Sequence, residues 1–231
     1  MKSQTSSSRL LLGSQLAALG VHMDSAEIEK LNGLADFGYR LTKDTASLAE
    51  RLLAKDHAHP SVRLFSPLGS AESLGHAIVQ LGMALAVFSR LPTLIVNASG
   101  EWVGLDHAFG SDKTEGLTGL LGTVGSWEGK VIPTRIPELA FLPFGSSTVG
   151  APAVTAKTLT PLLDSIKSSY PQIILIGPRS DEASRSSVLL CADEIFGVVA
   201  SGETTQSQVA ELRETCLDLE KAFAGVILCH V

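Results

Sequence analysis

The residues of this chain with most to say about chemistry follow a short apolar run, Val62-Arg63-Leu64-Phe65. Ser66-Pro67-Leu68-Gly69-Ser70-Ala71-Glu72-Ser73-Leu74-Gly75-His76 comes next and leads into the helical pattern Ala77 to Ala86. Strand, small-residue loop and helix is the layout of a phosphate-binding loop. There, backbone N–H groups and a lysine hold the phosphates, and a hydroxyl holds magnesium. In this chain no lysine stands where it should meet the β- and γ-phosphates, and the magnesium hydroxyl is absent. The expectation is a nucleotide-binding fold without its nucleotide chemistry.

Other candidates carry less. His57-Ala58-His59 places two imidazoles close together, but no third ligand stands at a recognisable spacing, so an exposed linker is the better reading. His76, at a helix start, could meet an anion; the plainer reading is a histidine filling space left by the lost magnesium site. Gly125-Ser126-Trp127-Glu128-Gly129 is no nucleophile elbow, since the serine follows the first glycine directly and no strand precedes it. Ser146 and Ser147 read as loop chemistry. Arg179, Asp181, Glu182 and Arg185 make a mixed-charge group that could grip a partner and by default is a solvated helix start.

These residues need elements to position them. With 231 residues, 45% of them hydrophobic, the chain can bury one sizeable α/β domain with an appendage. The net charge of −6 offers no basic field, which argues against nucleic acid as a partner. Cys191, Cys216 and Cys229 are odd in number and lie in apolar or helical contexts, as reduced buried thiols do in a cytoplasmic protein. The first residues carry little charge, and the apolar stretch after them is broken by Gly13, Ser14 and Gln15, which reads against a signal peptide. No apolar run is long enough to suggest a transmembrane helix.

Residues 1–60 read as an N-terminal helical segment. It has a polar tail, a weak helix or docking stretch around Leu10 to Leu19, and a helix from Asp24 or Ser25. That helix shows an amphipathic face of Ile28, Leu31, Leu34, Phe37 and Leu41, and a further helical run spans Ala46 to Lys55. Beyond His57-Ala58-His59-Pro60, residues 61–231 alternate strands and helices. Strands are expected at 62–65, 93–96, 140–143, 172–176, 194–200 and 225–228. Helices are expected at 75–88, 117–121, 158–169, 184–191 and 206–222. Unbroken apolar strands such as Ile173-Ile174-Leu175-Ile176 suit a mainly parallel sheet covered on both faces, an α/β three-layer sandwich.

From about residue 61 onward the chain resembles the cytoplasmic domain of the bacterial tyrosine kinases of capsular and exopolysaccharide export. These belong to the wider MinD/ParA-like class of P-loop ATPases. Ser66 opens the loop, Glu72 keeps the family's acidic position, and Ala84-Leu85-Ala86 closes the helix. Leu94-Ile95-Val96-Asn97-Ala98-Ser99 stands where the family strand ends D-A-D, and Phe109-Gly110 follows at the family's spacing. Gly116-Leu117-Thr118-Gly119-Leu120-Leu121, Leu142-Pro143-Phe144-Gly145, Val199-Ala200-Ser201-Gly202-Glu203-Thr204 and Gly225-Val226-Ile227-Leu228 match later motifs in order.

On that resemblance, the functional positions are altered one after another. The loop lysine is Leu74, which supplies no charge to a triphosphate. The two cradle glycines are Ala71 and Ser73, which resist positive φ. The magnesium hydroxyl is Gly75 and the following threonine is His76. Asn97 and Ser99 replace the two strand-end aspartates, and Gly177 replaces the aspartate of the third motif. A hard cation with neither carboxylate nor hydroxyl has little left to hold it, so ATP and magnesium are expected to bind weakly if at all. The family's tyrosine-rich acceptor tail has no counterpart; the tyrosines are Tyr39 and Tyr170.

The reading is a catalytically inactive binding or regulatory partner in polysaccharide synthesis or export. Its expected partner is a membrane polysaccharide co-polymerase or another protein of that machinery. A homo-oligomer and a cytoplasmic location, with attachment at the inner membrane through the partner, are implied by the resemblance. Two alternatives stand beside it. One is an active ATPase or kinase using Glu72, Ser73, Asn97 and Ser99; the other is a small-molecule or anion binder at the strand ends.

Overall fold

The computed structural model describes residues 9–12, 42–54, 61–69, 72–111, 116–121, 126–145, 153–179 and 185–230. Among them the strands are β1 (Arg9–Leu12), β2 (Ser61–Leu68), β3 (Thr93–Asn97), β4 (Ile132–Pro133), β5 (Leu139–Leu142), β6 (Gln172–Ile176), β7 (Glu194–Ala200) and β8 (Phe223–His230). The helices are α1 (Lys43–Ala54), α2 (Glu72–Ser89), α3 (Val103–Ala108), α4 (Leu117–Leu120), α5 (Ala156–Ile166), α6 (Arg185–Leu189) and α7 (Gln206–Asp218).

The strands form one sheet of order β1-β8-β7-β2-β6-β3-β5-β4. Its interior ladders are parallel, and the edge pairs β1/β8 and β4/β5 are antiparallel. β2, β3, β5 and β6 are buried at every position, which is why they read as continuous apolar runs. Alternate residues feed two cores. Phe65, Ile95, Phe141, Ile174 and Phe196 face α1 and α2. Leu64, Leu94, Leu142, Leu175 and Ile195 face α5, α6 and α7. α2 lies hard against the sheet at Gly82, where a Cβ would come within 2.7 Å of the Ile95 side chain. Ala46, Leu48, Ala49 and Leu52 of α1 belong to that same core.

Three differences from expectation bear on the site. First, Leu10, Leu11 and Leu12 do not start a helix: they extend the sheet by pairing with Cys229, Leu228 and Ile227. Second, β2 runs through Ser66 and Pro67 to Leu68, paired with Gly197, Val198 and Val199 of β7. A proline is tolerated there because β6 ends opposite Phe65, so the strand has a neighbour on one side only beyond that point. Third, α2 begins at Glu72 rather than Gly75. Only residues 69–71 separate strand from helix, where a long loop was expected. α3 and β4 were not foreseen. The helix expected from Asp24 or Ser25 lies outside the described residues.

Candidate functional site

The order β7-β2-β6-β3 reverses direction about β2, so a crevice forms outside the carboxyl ends of β2, β6 and β3. The altered motif positions converge there. Leu74 and Gly75 lie in the first turn of α2, Asn97 ends β3, Ser99 follows it, and Gly177 follows β6. Ala71 lies outside the described residues, and Glu72 is the first residue of α2.

Leu74 is wholly buried in the α1/α2 core. Placed in the helix rather than in a loop, it directs a butyl group inward where a lysine would reach for phosphate. The hydroxyls of Ser73 and Ser66 are buried and have no hydrogen-bond partner. Gly69, with φ +138°, makes the turn that lets the chain leave β2; its carbonyl neighbour, Leu68 O, accepts from the Thr204 hydroxyl. His76 is exposed and does not fill the space of a magnesium site, contrary to expectation.

Trp102 lies against the start of α2 instead. This side chain is 3% exposed. A Cβ on Gly75 would lie 3.0 Å from its Cε3 and 3.2 Å from Leu105 Cδ1, so the absence of a side chain at this position leaves room for the indole. Trp102 Nε1 donates to the carbonyl of Gly177 at 3.1 Å. The third-motif position is equally closed to a side chain, since a Cβ on Gly177 would meet Leu64 Cδ1 at 2.9 Å. The ring therefore spans the crevice from the start of α2 to the end of β6.

The polar residues around it are spent on one another. Asn97, fully buried, donates from Nδ2 to Trp102 O at 3.3 Å and to Asp106 Oδ1 at 2.9 Å, and its Oδ1 accepts from Ser99 N at 3.2 Å. Asp106 accepts further from the backbone N–H groups of Phe144 at 3.2 Å and Gly145 at 3.0 Å. The Ser99 hydroxyl caps the 3₁₀ turn Gly100–Trp102 by accepting from Glu101 N at 3.2 Å. Glu101 binds Arg179 through the backbone N–H at 3.1 Å, Nε at 2.8 Å and Nη2 at 2.7 Å. Both guanidinium contacts are charge-assisted and fall on Oε1, while Oε2 takes the backbone N–H.

The chain's own side chains thus occupy the crevice, and a carboxylate, Asp106, sits in it with its oxygens engaged. Arg179 is part of this net. Arg185 is 5% exposed and pairs with Glu211 at 3.5 Å, and burial holds its guanidinium below its ordinary pKa against the opposing pull of Glu211. The structure therefore splits the mixed-charge group expected to be a solvated helix start; Asp181 and Glu182 lie outside the described residues. Cys191, Cys216 and Cys229 are free and buried, as expected. Among the described residues no three His, Cys, Asp or Glu side chains gather as metal ligands, and no helix is long and apolar enough to cross a membrane. His57 and His59 lie outside those residues, as do Gly125, Ser146 and Ser147.

Sequence reasoning missed Trp102, Glu101 and Asp106. The signal for Trp102 was its type and place: a large aromatic five residues past the end of β3.

Comparison with solved structures agrees with the fold. The chain is similar to the chimerical protein CapA2B2, with a TM-score of 0.68 and 18% identity over 89% of this chain and 98% of that one. It is similar to the kinase domain of the Escherichia coli tyrosine kinase ETK, with a TM-score of 0.67 and 15% identity over 86% of this chain and 78% of that one. The MinD cell division protein of Aquifex aeolicus gives a TM-score of 0.55 and 18% identity over 73% of this chain and 68% of that one. The chain shares the fold of bacterial tyrosine kinase domains and of the MinD and ParA ATPases. Neither a family model nor a curated protein matches its sequence.

Proposed function

We propose that this protein keeps the tyrosine-kinase fold without the phosphoryl-transfer chemistry and serves as a binding or regulatory partner in bacterial exopolysaccharide or capsule export. The observation that carries the reading is the Trp102 indole lying across the crevice between Gly75 and Gly177. A nucleotide would have to displace a buried ring that is hydrogen-bonded to the strand end. It would then meet Leu74 where a cation is needed, and Asn97, Ser99 and Gly177 where carboxylates are needed. Surfaces used for docking on a membrane co-polymerase or on a second copy lie apart from the phosphate crevice in a fold of this kind, so binding can outlast catalysis.

Titration calorimetry of the protein with ATP and ADP, with and without magnesium, tests the reading. No heat at millimolar nucleotide is the expected result. Micromolar, magnesium-dependent binding would overturn it and put an active ATPase in its place.

A further inference from the structure

This inference rests on the reading above, in which no nucleotide organises the crevice. In nucleotide-driven switches, the terminal phosphate and its magnesium hold the surrounding segments in one arrangement and release them on hydrolysis. Here side chains join the same segments. The turn Gly100–Trp102 is fastened to the end of β6 by two adjacent residues. Trp102 Nε1 donates to Gly177 O at 3.1 Å, and Glu101 takes the Arg179 backbone N–H at 3.1 Å and its guanidinium at 2.8 Å. Asn97 fastens that turn to the end of β3 through Trp102 O at 3.3 Å and reaches α3 through Asp106 at 2.9 Å. Asp106 in turn holds the end of β5 through the amides of Phe144 and Gly145. The indole closes the ring by packing on the start of α2 at Gly75.

We infer that the turn Gly100–Trp102 is a built-in latch that holds the ends of β3, β5 and β6 and the start of α2 in one arrangement with no ligand present. The crevice is then a switch fixed in a single position. Whatever surface its segments present to a partner is presented constantly.

Amide hydrogen exchange on the full chain, alone and with magnesium and ATP, tests this. Slow exchange from Ser99 to Asp106 and at Gly177 and Arg179, unchanged by nucleotide, is expected. Trp102→Phe deletes the donor to Gly177 and with it part of the ring that packs on Gly75. It should speed exchange at those amides about ten- to a hundredfold, the equivalent of one buried hydrogen bond, and leave α7 unchanged. Glu101→Gln should give a smaller rise confined to the same amides. Fast exchange of these amides in the unaltered protein would overturn the latch and leave the inactive-site reading standing. So would a Trp102→Phe rise spread equally over α7. Protection that appears only with magnesium and ATP would overturn both.

Discussion

The two ends of the central sheet treat their polar groups in opposite ways. At the carboxyl end, Asn97, Ser99, Glu101, Trp102 and Asp106 form a net in which each side chain finds partners. At the amino end, Ser61, Arg63 and Gln172 are buried on one face of neighbouring strands, with Ser61 beside Gln172 and Arg63 beside Glu194. Arg63 Nε reaches Glu194 Oε2 at 3.1 Å, yet Arg63 Nη2, the Ser61 hydroxyl and both polar atoms of the Gln172 amide have no partner. In sheets of this topology, ligand chemistry is usually served by groups left open at the carboxyl end. Here most of those groups are closed on each other, the buried Ser66 and Ser73 hydroxyls excepted, and a larger set of open ones lies at the amino end.

The largest test of this contrast is to restore the missing lysine. Leu74→Lys would place an ammonium in the α1/α2 core with no counter-charge, at a cost of about 3 to 5 kcal/mol. Denaturant unfolding should show that loss, and no ATP turnover should accompany it, because Asn97, Ser99 and Gly177 still offer no carboxylate. Measurable turnover in this variant would break the comparison outright. Trp102→Ala comes next. Removing the buried ring should cost about 3 to 5 kcal/mol, while Trp102→Phe should cost about 1 to 3 kcal/mol, for the bond to Gly177 and the part of the ring that is lost.

A paired substitution sharpens the contrast directly. Asn97→Leu deletes a donor to Asp106 and an acceptor for Ser99 N, and should destabilise by about 1 to 3 kcal/mol. Gln172→Met removes a buried amide that bonds to nothing, in a side chain of similar length, and should be neutral or stabilising by about 1 kcal/mol. Equal losses from both, read from denaturation midpoints, would mean that the two ends are not built differently.

Much of the architecture was readable because it depends on pattern alone. Ile173 to Ile176 could only be a strand buried on both faces, and the helix after the loop announced itself by its apolar run. The loop was misjudged for a local reason. Proline and small residues at 66–69 look like a turn, but β7 is long enough to keep pairing with Ser66, Pro67 and Leu68 where β6 has already ended. Tertiary pairing overrode local propensity. In the candidate site, the sequence revealed what was absent at positions 74, 97, 99 and 177. It could not reveal what had taken the room, because the contact of Trp102 with Gly75 and Gly177 joins residues far apart in the chain.

The smallest expected effect lies in the thiols, which sit one near each end of the sheet. Cys229 pairs with Ala200 near the carboxyl end, and burial pushes its thiol up to about 12. Cys191 precedes β7 at the amino end; burial raises it too, against the opposing pull of the Thr160 hydroxyl and Lys221. A thiol raised in the fold stays neutral while the unfolded thiol, at about 8.5, ionises. Its contribution to stability is therefore complete below about pH 8.5 and declines as pH rises toward the folded value. Midpoints measured from pH 7.5 upward should fall with increasing pH, and less steeply in Cys229→Ala. Thiol labelling of the native protein near pH 8 should reach Cys191 before Cys229, because the latched end opens less often than the end with unpaired polar groups. Labelling of Cys229 first would mean that the carboxyl end is the looser of the two, and the contrast between a closed crevice and an open base would be reversed.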